Sequence, residues 1–367
     1  MIVLATYLIV YATLVGGVVL VGFLFHVRKS NQNDEDRKVL ASEITVLIPF
    51  RNEVKRLDEL LSSFVNARKL PKRIVFIDDH SEDGSSELIR KRLDGIPFEI
   101  LSLPDHVTGK KLALRQGIEC CETKYILTFD ADVSFPTTYF ESIETLTQAD
   151  MYVLPAILKG ENFSELFYEL DVALANALNT GLSGWLRPIF CSGANLLYRK
   201  EVFDDVDDFD SHAHMASGDD TYLLRDFRKH GKDIQVVSDL NVAIHTETPH
   251  SFRSFIDQRL RWVGKTTDIG DSLATVSAGL QFILAIAFFA LLIVEMIQGN
   301  WRAFWIVFIT KIAFDLIFFM PYFLRIKRIK SWLLLPVYEV LFPFYSLLLA
   351  GLMLFYKPKW KGREIKN

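Results

Sequence analysis

Tyr125-Ile126-Leu127-Thr128-Phe129-Asp130-Ala131-Asp132 is the stretch that decides the fold of this chain, because an apolar run ends directly in two acidic residues. The run predicts a short buried strand, with the acidic pair where the strand ends. Two carboxylates one residue apart supply the oxygen ligands that a hard divalent cation prefers. Asp-x-Asp alone is common in solvated turns, so its neighbours decide how it is interpreted.

Strands and helices alternate upstream of this stretch. Short apolar runs predict buried strands, and apolar residues at helical spacing predict the helices between them. The predicted strands are 44–48, 73–77, 98–101 and 125–129, and the predicted helices are 53–68, 85–93 and 110–120. This alternation predicts an α/β fold with a parallel sheet and helices on both faces. Ligands bind at the carboxyl ends of such strands, so we expect the polar clusters at 49–53, 78–83 and 130–132 to converge on one edge.

Two further motifs lie downstream. Asp219-Asp220 follows a glycine and precedes a predicted helix, where capping and the helix dipole would favour acidic residues in any case. Gln258-Arg259-Leu260-Arg261-Trp262 places Gln258 and Arg261 on one helical face. An arginine fork suits a diphosphate, and an indole suits a sugar face or the lipid headgroup layer. An interfacial amphipathic helix would also account for the arginine and the tryptophan by itself.

The order of these motifs resembles that of membrane-bound family 2 glycosyltransferases, from about Ser42 to Trp262. The resemblance extends to ceramide and hopanoid glucosyltransferases and to poly-N-acetylglucosamine, cellulose and hyaluronan synthases. It implies a GT-A domain of the Rossmann-like nucleotide-diphospho-sugar transferase type, accompanied by transmembrane helices. It also implies an inverting transfer from a UDP-sugar to a lipid or growing polysaccharide, with Mg²⁺ or Mn²⁺ as cofactor. Donor sugar, acceptor and processivity stay open.

The resemblance implies roles for individual residues. Asp132 and Asp130 would bind the metal ion, and Asp220 would take the proton from the acceptor hydroxyl. Asp219, beside it, is counted with Asp220 as catalytic and stands where the family has glutamate. The donor site would comprise Pro49, Arg51, Glu53, Asp79, Lys110, Asp130, Gln258, Arg261 and Trp262, with Asp79 contacting the uracil. The acceptor site would be bordered by Gly193, Ala194 and Asn195. The family more often has glycine or asparagine where this chain has His80.

Both ends of the chain are apolar. The uncharged run 2–25 is long enough to cross a hydrocarbon core of roughly 30 Å, and 273–296, 301–323 and 332–356 are similar. A secretory signal peptide is the alternative for the first run, but the run is longer than an h-region and no basic n-region precedes it. His26, Arg28 and Lys29 follow it, so we expect a multi-pass protein of the cell (inner) membrane with a cytoplasmic catalytic domain.

The last apolar run conflicts with a simple topology. The basic loop 325–330 falls inside, but with four spans the basic tail would fall outside, against the positive-inside rule. Pro336, Glu339 and Pro343 are therefore predicted to interrupt the last run, as a re-entrant or interfacial segment. Lys311 and Asp315 stand four residues apart and could form an intramembrane pair, for which functional and structural explanations are equally open.

Composition limits the remaining possibilities. The chain of 367 residues is 50 % apolar with a formal charge of -4, and its three cysteines include an adjacent pair, which argues against a disulfide framework. Nucleic acid is not an expected partner; a UDP-sugar, the acceptor and membrane lipids are. The alternative to an enzyme is a non-catalytic nucleotide-sugar-binding scaffold or partner subunit. The expected segments are an anchor 1–25, a linker 26–42, a GT-A domain 43–248, interfacial helices 249–270, a membrane region 271–356 and a basic tail 357–367.

Overall fold

The computed structural model describes residues 2–30, 38–209, 218–268 and 270–356, with 359–360 and 363–364 of the tail. The middle of the expected linker and most of the basic tail lie outside these residues. The chain forms two compact units. The sheet unit comprises Ser30–Leu158 and Phe190–Glu247, and the helical unit comprises Met1–Lys29, Lys159–Ile189 and Thr248–Asn367. Residues 159–189, expected within the 43–248 domain, thus belong to the helical unit.

The strands, in chain order, are β1 Ile44–Phe50, β2 Arg73–Asp78, β3 Glu99–Ser102, β4 Tyr125–Phe129, β5 Val133–Ser134, β6 Met151–Val153, β7 Ala156–Lys159, β8 Asn195–Arg199, β9 Ile234–Val236, β10 Ile244–Glu247, β11 Lys359–Trp360 and β12 Arg363–Glu364. The α-helices are α1 Ile2–Tyr11, α2 Gly22–Ser30, α3 Asp58–Asn66, α4 Ser85–Arg92, α5 Lys110–Glu119, α6 Tyr139–Ile143, α7 Phe163–Trp185, α8 Lys200–Val206, α9 Asp219–Lys229, α10 Phe252–Asp268, α11 Ser272–Ile297, α12 Trp301–Arg325, α13 Ile329–Trp332 and α14 Leu335–Phe355.

A seven-stranded mixed sheet, in the order β3-β2-β1-β4-β8-β6-β9, forms the centre of the sheet unit. The first four strands pair in parallel, as their alternation with helices predicts. The prediction of parallel pairing for these strands is confirmed. β8 runs antiparallel to both β4 and β6, so the sheet is mixed beyond the strands for which parallel pairing was predicted. The regular strand–helix alternation that imposes parallel pairing ends at β4.

Apolar clusters cover both faces of this sheet. All seven residues of β1 are buried, as expected for a central parallel strand. Val46 and Ile48 pack into one cluster and Leu47 into the other, because successive side chains of a strand point to opposite faces. The position of β4 beside β1 therefore depends on hydrophobic layers on both faces of the sheet. Because Asp130 directly follows β4, these layers also fix Asp130 at the sheet edge.

Within its described residues the helical unit contains four helices that are long and apolar enough to cross a membrane: Ile2–Arg28, Ser272–Ile297, Trp301–Arg325 and Leu335–Phe355. α14 is continuous, so the predicted interruption by prolines is wrong. Pro336 lies in its first turn, where the missing N–H has no intrahelical partner to lose. Pro343 lies inside the helix without ending it. A continuous helix of this length fits a fourth span.

The first span is not α-helical throughout. Residues Ala12–Val21, between α1 and α2, form a π-helix that contains Gly16 and Gly17. Trp185, at the end of α7, donates its indole N–H to the carbonyl of Gly17 over 3.0 Å. The same carbonyl also accepts the backbone N–H of Gly22, so the indole is a second donor to an oxygen that already has an intrahelical partner.

α7 approaches the same span through small residues. A Cβ added at Gly22 would lie 2.2 Å from the carbonyl oxygen of Gly181, and one added at Gly184 would lie 2.0 Å from the carbonyl oxygen of Gly22. Ser183 is also hydrogen-bonded to His26. Glycines of this kind allow helix backbones to contact one another in membranes. The first span and α7 are therefore packed backbone to backbone.

Gly22→Ala is expected to lower the stability of the detergent-solubilised protein by about 1–3 kcal/mol, because the added methyl group overlaps a backbone atom that cannot rotate away. The measurement is the temperature at which the protein unfolds in the same detergent. Gly17→Ala is the matched control, since a Cβ at Gly17 meets nothing within 4 Å. An equal loss of stability in both variants would contradict the close helix crossing.

Candidate functional site

The loop after β1 is tied to the loop after β4 by one arginine. Pro49 lies within β1 and pairs with Ile77 of β2. Glu53 is buried, and its carboxylate lies 2.5 Å from the Arg56 guanidinium. The same guanidinium donates to Asp132 Oδ2 over 2.7 Å. Arg56 therefore joins the two predicted clusters. The only sequence signal for Arg56 is its three-residue spacing from Glu53, and that spacing alone is too common to identify a functional residue.

Asp79 fixes the loop that carries the predicted nucleotide-binding lysine. Its side chain is 3 % exposed, and Oδ2 accepts a hydrogen bond from the backbone N–H of Gly109 over 3.1 Å. Oδ1 lies 3.6 Å from the Arg51 guanidinium and has no hydrogen-bond partner among the described residues. A buried carboxylate oxygen without a donor needs an explanation, and a bound ligand with an N–H group would supply one.

The departure from the family pattern at His80 has a conformational cost. His80 has a φ of 59°, in the left-handed region that glycine and asparagine enter more readily than other residues. The imidazole Nε2 is 3.0 Å from the carbonyl oxygen of Val107, which ties it to the chain ahead of α5. This contact stabilises a backbone conformation that glycine would adopt without such support.

The two acidic residues after β4 each have a cationic partner. Asp130 pairs with the ammonium group of Lys110, and Asp132 with Arg56. Burial, followed by the neighbouring charge of Asp130, raises the pKa of the Asp132 carboxyl above its usual range, and Arg56 opposes this rise. Among the described residues no group of three or more His, Cys, Asp or Glu side chains is arranged to hold a metal ion. Asp130 and Asp132 thus offer only part of a coordination shell.

Asp220 is held at the start of α9 by backbone donors. Its Oδ2 accepts from the N–H of Gly193 over 3.0 Å, and its Oδ1 accepts from the N–H of Thr221 over 2.8 Å. The Thr221 hydroxyl also donates to Oδ1, over 3.1 Å, so both carboxylate oxygens are directed by donors of the protein. The backbone of Asp219 opens α9, whereas its side chain lies outside the described part of the structure.

Strand register brings the acidic clusters to the same end of the sheet. Phe129, the last residue of β4, pairs with Asn195, the first residue of the antiparallel strand β8. Asp130 therefore follows β4 where Gly193 and Ala194 precede β8, about 5 Å away in the hydrogen-bonding direction. Because Gly193 also binds Asp220, one short turn connects the neighbourhood of Asp130 with Asp220. Asp130 and Asp220 therefore lie at the same edge of the sheet.

Asn195 is a correction to the predicted acceptor residues. It is fully buried, its side-chain nitrogen donates to the carbonyls of Pro155 and Val242, and its oxygen accepts from the hydroxyl of Tyr139. An amide with these partners stabilises the fold and has no face for a sugar. Gly193 and Ala194, by contrast, stay at the turn next to Asp220.

A cavity behind Asp220 contains residues that the sequence did not single out. It has a volume of about 50 Å³, and Asp132 is not among the residues that line it. Its lining consists of Lys111, Leu114, Arg115, Ile118, Thr128, Gly193, Leu196, Tyr198, Phe203, Asp207, Phe209, Asp220 and Leu223. Burial raises the pKa of the Asp207 carboxyl to about 6. Lys110 and Lys111 are consecutive on a helix and so point in different directions, which separates the one that pairs with Asp130 from the one in the cavity.

The remaining predicted donor residues belong to the helical unit. α10 carries Gln258, Arg261 and Trp262, and the first two lie three residues apart as expected. Gln258 Oε1 is buried and has no hydrogen-bond partner among the described residues. Burial lowers the pKa of the Arg261 guanidinium, which Asp257 partly offsets. A buried amide oxygen without a donor and a buried guanidinium are both suited to bind a charged or polar ligand.

Comparison with known proteins supports the predicted fold and class of enzyme. The family model described as Glycosyl transferase family 2 matches residues 45–207. The chain therefore carries a family 2 glycosyltransferase domain with the GT-A fold, as the sequence predicts, in a protein with four apolar helices of membrane-spanning length. The mannosyltransferase PcManGT from Pyrobaculum calidifontis, in complex with GDP-Man and Mn2+, shares the fold at a TM-score of 0.57 and 15 % identity, covering 92 % of this chain and 99 % of that one.

Two curated relatives show where the chain is similar at the level of sequence. The poly-beta-1,6-N-acetyl-D-glucosamine synthase of Staphylococcus aureus (strain COL) is 34 % identical over 89 residues, which is 24 % of this chain and 21 % of that protein. The cholesterol galactosyltransferase of Borreliella burgdorferi is 29 % identical over 108 residues, or 29 % of this chain and 30 % of that protein. The matches span less than a third of the length of these relatives.

Proposed function

We propose that the protein is an inverting glycosyltransferase that moves a sugar from a UDP-sugar to a lipid or growing polysaccharide at the cytoplasmic face of the cell membrane. The observation that carries this proposal is the register of β4 and β8 together with the Gly193–Asp220 hydrogen bond. It supports a shared site for the Asp130–Asp132 pair and for Asp220. The relatives named above act, by their names, on a polysaccharide and on a sterol, so both acceptor classes are retained.

Asp220 acts as the base in this mechanism. Its carboxylate takes the proton from the acceptor hydroxyl while that oxygen attacks the anomeric carbon from the side opposite the leaving diphosphate. One displacement of this kind inverts the anomeric centre and needs no covalent intermediate. The N–H groups of Gly193 and Thr221 keep the carboxylate directed during the transfer.

The nucleotide is held by residues of the first loops. Asp79 Oδ1 is buried and accepts no hydrogen bond within the described chain, and the N3–H of a uracil is a donor that would fill it. Lys110 lies next to Asp130 and supplies positive charge for the diphosphate. The family resemblance assigns Arg261 and Gln258 of α10 to a diphosphate, and Trp262 to a sugar face.

A divalent cation, Mg²⁺ or Mn²⁺, fits the donor set of Asp130 and Asp132. Both offer hard oxygen ligands, and the burial and mutual repulsion that raise the pKa of Asp132 would be relieved by a positive ion. Two carboxylates are enough when substrate phosphates complete the shell, as is usual for Mg²⁺. The cation, when bound, neutralises the charge that develops on the leaving diphosphate.

Transfer is tested by UDP release from a panel of UDP-sugars with Mn²⁺ or Mg²⁺, using the full chain in detergent. We expect chelation with EDTA to abolish release, and Asp132→Asn to reduce it about 10²-fold or more and to raise the Mn²⁺ concentration needed for half-maximal rate. Asp58→Asn is the control, since Asp58 is an exposed partner of Arg92 in the same unit. Undiminished release in EDTA would contradict the cation assignment, and no release with any donor would favour a non-catalytic scaffold.

A further inference from the structure

We propose that Arg259 is a positioning residue that holds the Trp262 indole through a buried network with Asp171 and Tyr338. Arg259 is the second residue of the 258–262 motif and has no role in the donor site described above. The inference rests on the proposed function for what Trp262 does, because Trp262 is assigned there to a sugar face. The whole network lies within the helical unit.

Three helices meet at one carboxylate. Arg259 of α10 forms an ion pair through Nη2 with Asp171 of α7, and each residue is 7 % exposed. The hydroxyl of Tyr338, on α14, donates to Asp171 Oδ1 over 2.5 Å. The two oxygens of Asp171 thus have different partners on different helices, which fixes the position of the guanidinium group.

The guanidinium reaches the motif tryptophan. The Arg259 Cζ atom lies 4.7 Å from the centroid of the Trp262 ring and 5.5 Å from that of Phe255. A planar guanidinium both forms a fork with a carboxylate and stacks on an aromatic face, and an ammonium group cannot do both. Trp262 is 37 % exposed, so its contact with Arg259 leaves part of the indole accessible. Arg259 therefore determines the orientation in which that accessible part is presented.

Tyr338, which donates to the Asp171 carboxylate, is held in place by its neighbour on α14. Glu339, the residue after Tyr338, binds Lys311 of α12. Two consecutive residues of α14 thus engage two buried polar groups on other helices. Tyr338 therefore has little freedom to move away from Asp171. Asp171 in turn fixes the Arg259 guanidinium, which contacts the Trp262 ring.

The structural part of this proposal is tested without any assay of transfer. The full chain in detergent is labelled with 5-fluorotryptophan, and the ¹⁹F resonance that is absent from Trp262→Phe identifies that residue. We expect Arg259→Lys and Tyr338→Phe to shift or broaden this resonance, while the resonance that is absent from Trp305→Phe stays in place. Tyr338→Phe removes only a hydroxyl, so the fold is retained if the lysine variant proves unstable. An unmoved Trp262 resonance in both variants overturns the proposal.

The kinetic part is a double-mutant cycle. Arg259→Lys is expected to lower kcat/KM about 10-fold in the wild-type background and less than about 2-fold in the Trp262→Phe background, because the arginine acts through the indole. Arg253→Lys, an exposed position of the same helix, is the control and should cost nothing in either background. Equal losses in both backgrounds overturn the proposal. An inactive wild type would instead refute the proposed function, and the resonance experiment would still decide the role of Arg259.

Discussion

Asp220→Asn is expected to reduce UDP release about 10²- to 10⁴-fold, the usual range for loss of a positioned general base. The amide has the shape of the carboxylate but cannot take the proton from an acceptor hydroxyl. It can still accept one of the hydrogen bonds that Gly193 and Thr221 donate, so the turn should keep its structure. The measurement is turnover at saturating donor and Mn²⁺ in detergent, with the unfolding temperature as a check of the fold.

Asp204→Asn is the matched control for this variant. Asp204 lies on α8 in the same unit, is half exposed and pairs with Lys200, so its amide should turn over like the wild type. If Asp220→Asn also turned over at the wild-type rate, Asp220 would not be the base. The observed direction of its carboxylate would then have only a structural role.

Lys311→Met is expected to destabilise the protein by about 3–5 kcal/mol, because it leaves one buried and one partly buried carboxylate without their cation. Lys311 is 3 % exposed and pairs with Asp315, which is fully buried, and with Glu339. Tyr11 of the first span donates its hydroxyl to Asp315 as well. The change is measured as the loss in unfolding temperature and in half-life at a fixed temperature in detergent.

A variant of Lys311, Asp315 and Glu339 without charges shows whether the loss of stability comes from charge repulsion or from packing. Replacing Lys311 with methionine together with Asp315→Leu and Glu339→Met removes all three charges, and such replacements are often neutral. We expect this triple variant to recover most of the stability that Lys311→Met alone loses. Lys330→Met, at an exposed position of the basic loop, should have no effect. Failure of the triple variant to recover would show that the cluster acts through shape rather than charge.

The strands and the acidic motifs were predictable because each depends on a short stretch of sequence. The runs at 44–48, 73–77 and 125–129 are apolar and β-branched enough to specify strands, and β1, β2 and β4 contain them. The acidic residues after β4 follow from that strand, since a parallel sheet places strand ends on one edge. The family resemblance supplied what local patterns could not, namely the prediction that Asp220 acts together with these residues.

Other features were not predictable because they depend on partners far away in sequence. Asn195 lies in a polar Gly-Ala-Asn turn that would suit an acceptor site, and only its contacts with Pro155 and Val242 reveal a structural role. The antiparallel direction of β8 depends on where the chain re-enters the sheet unit, and the spacing of apolar residues does not indicate this. Pro343 lacks the N–H that an α-helix uses, yet α14 is continuous through it, as proline is tolerated in membrane-spanning helices.

The path of the chain between the two units bears on how the protein is made. The chain leaves the sheet unit after Leu158 and returns at Phe190, and β8, the neighbour of β4, comes only after that return. A ribosome must therefore release α7 before the central sheet can close. A fragment cut at residues 43 and 248 would retain α7 while removing the glycine-rich first span and α14 against which it packs. Such a fragment would thus expose the faces of α7 that contact the other helices of the helical unit.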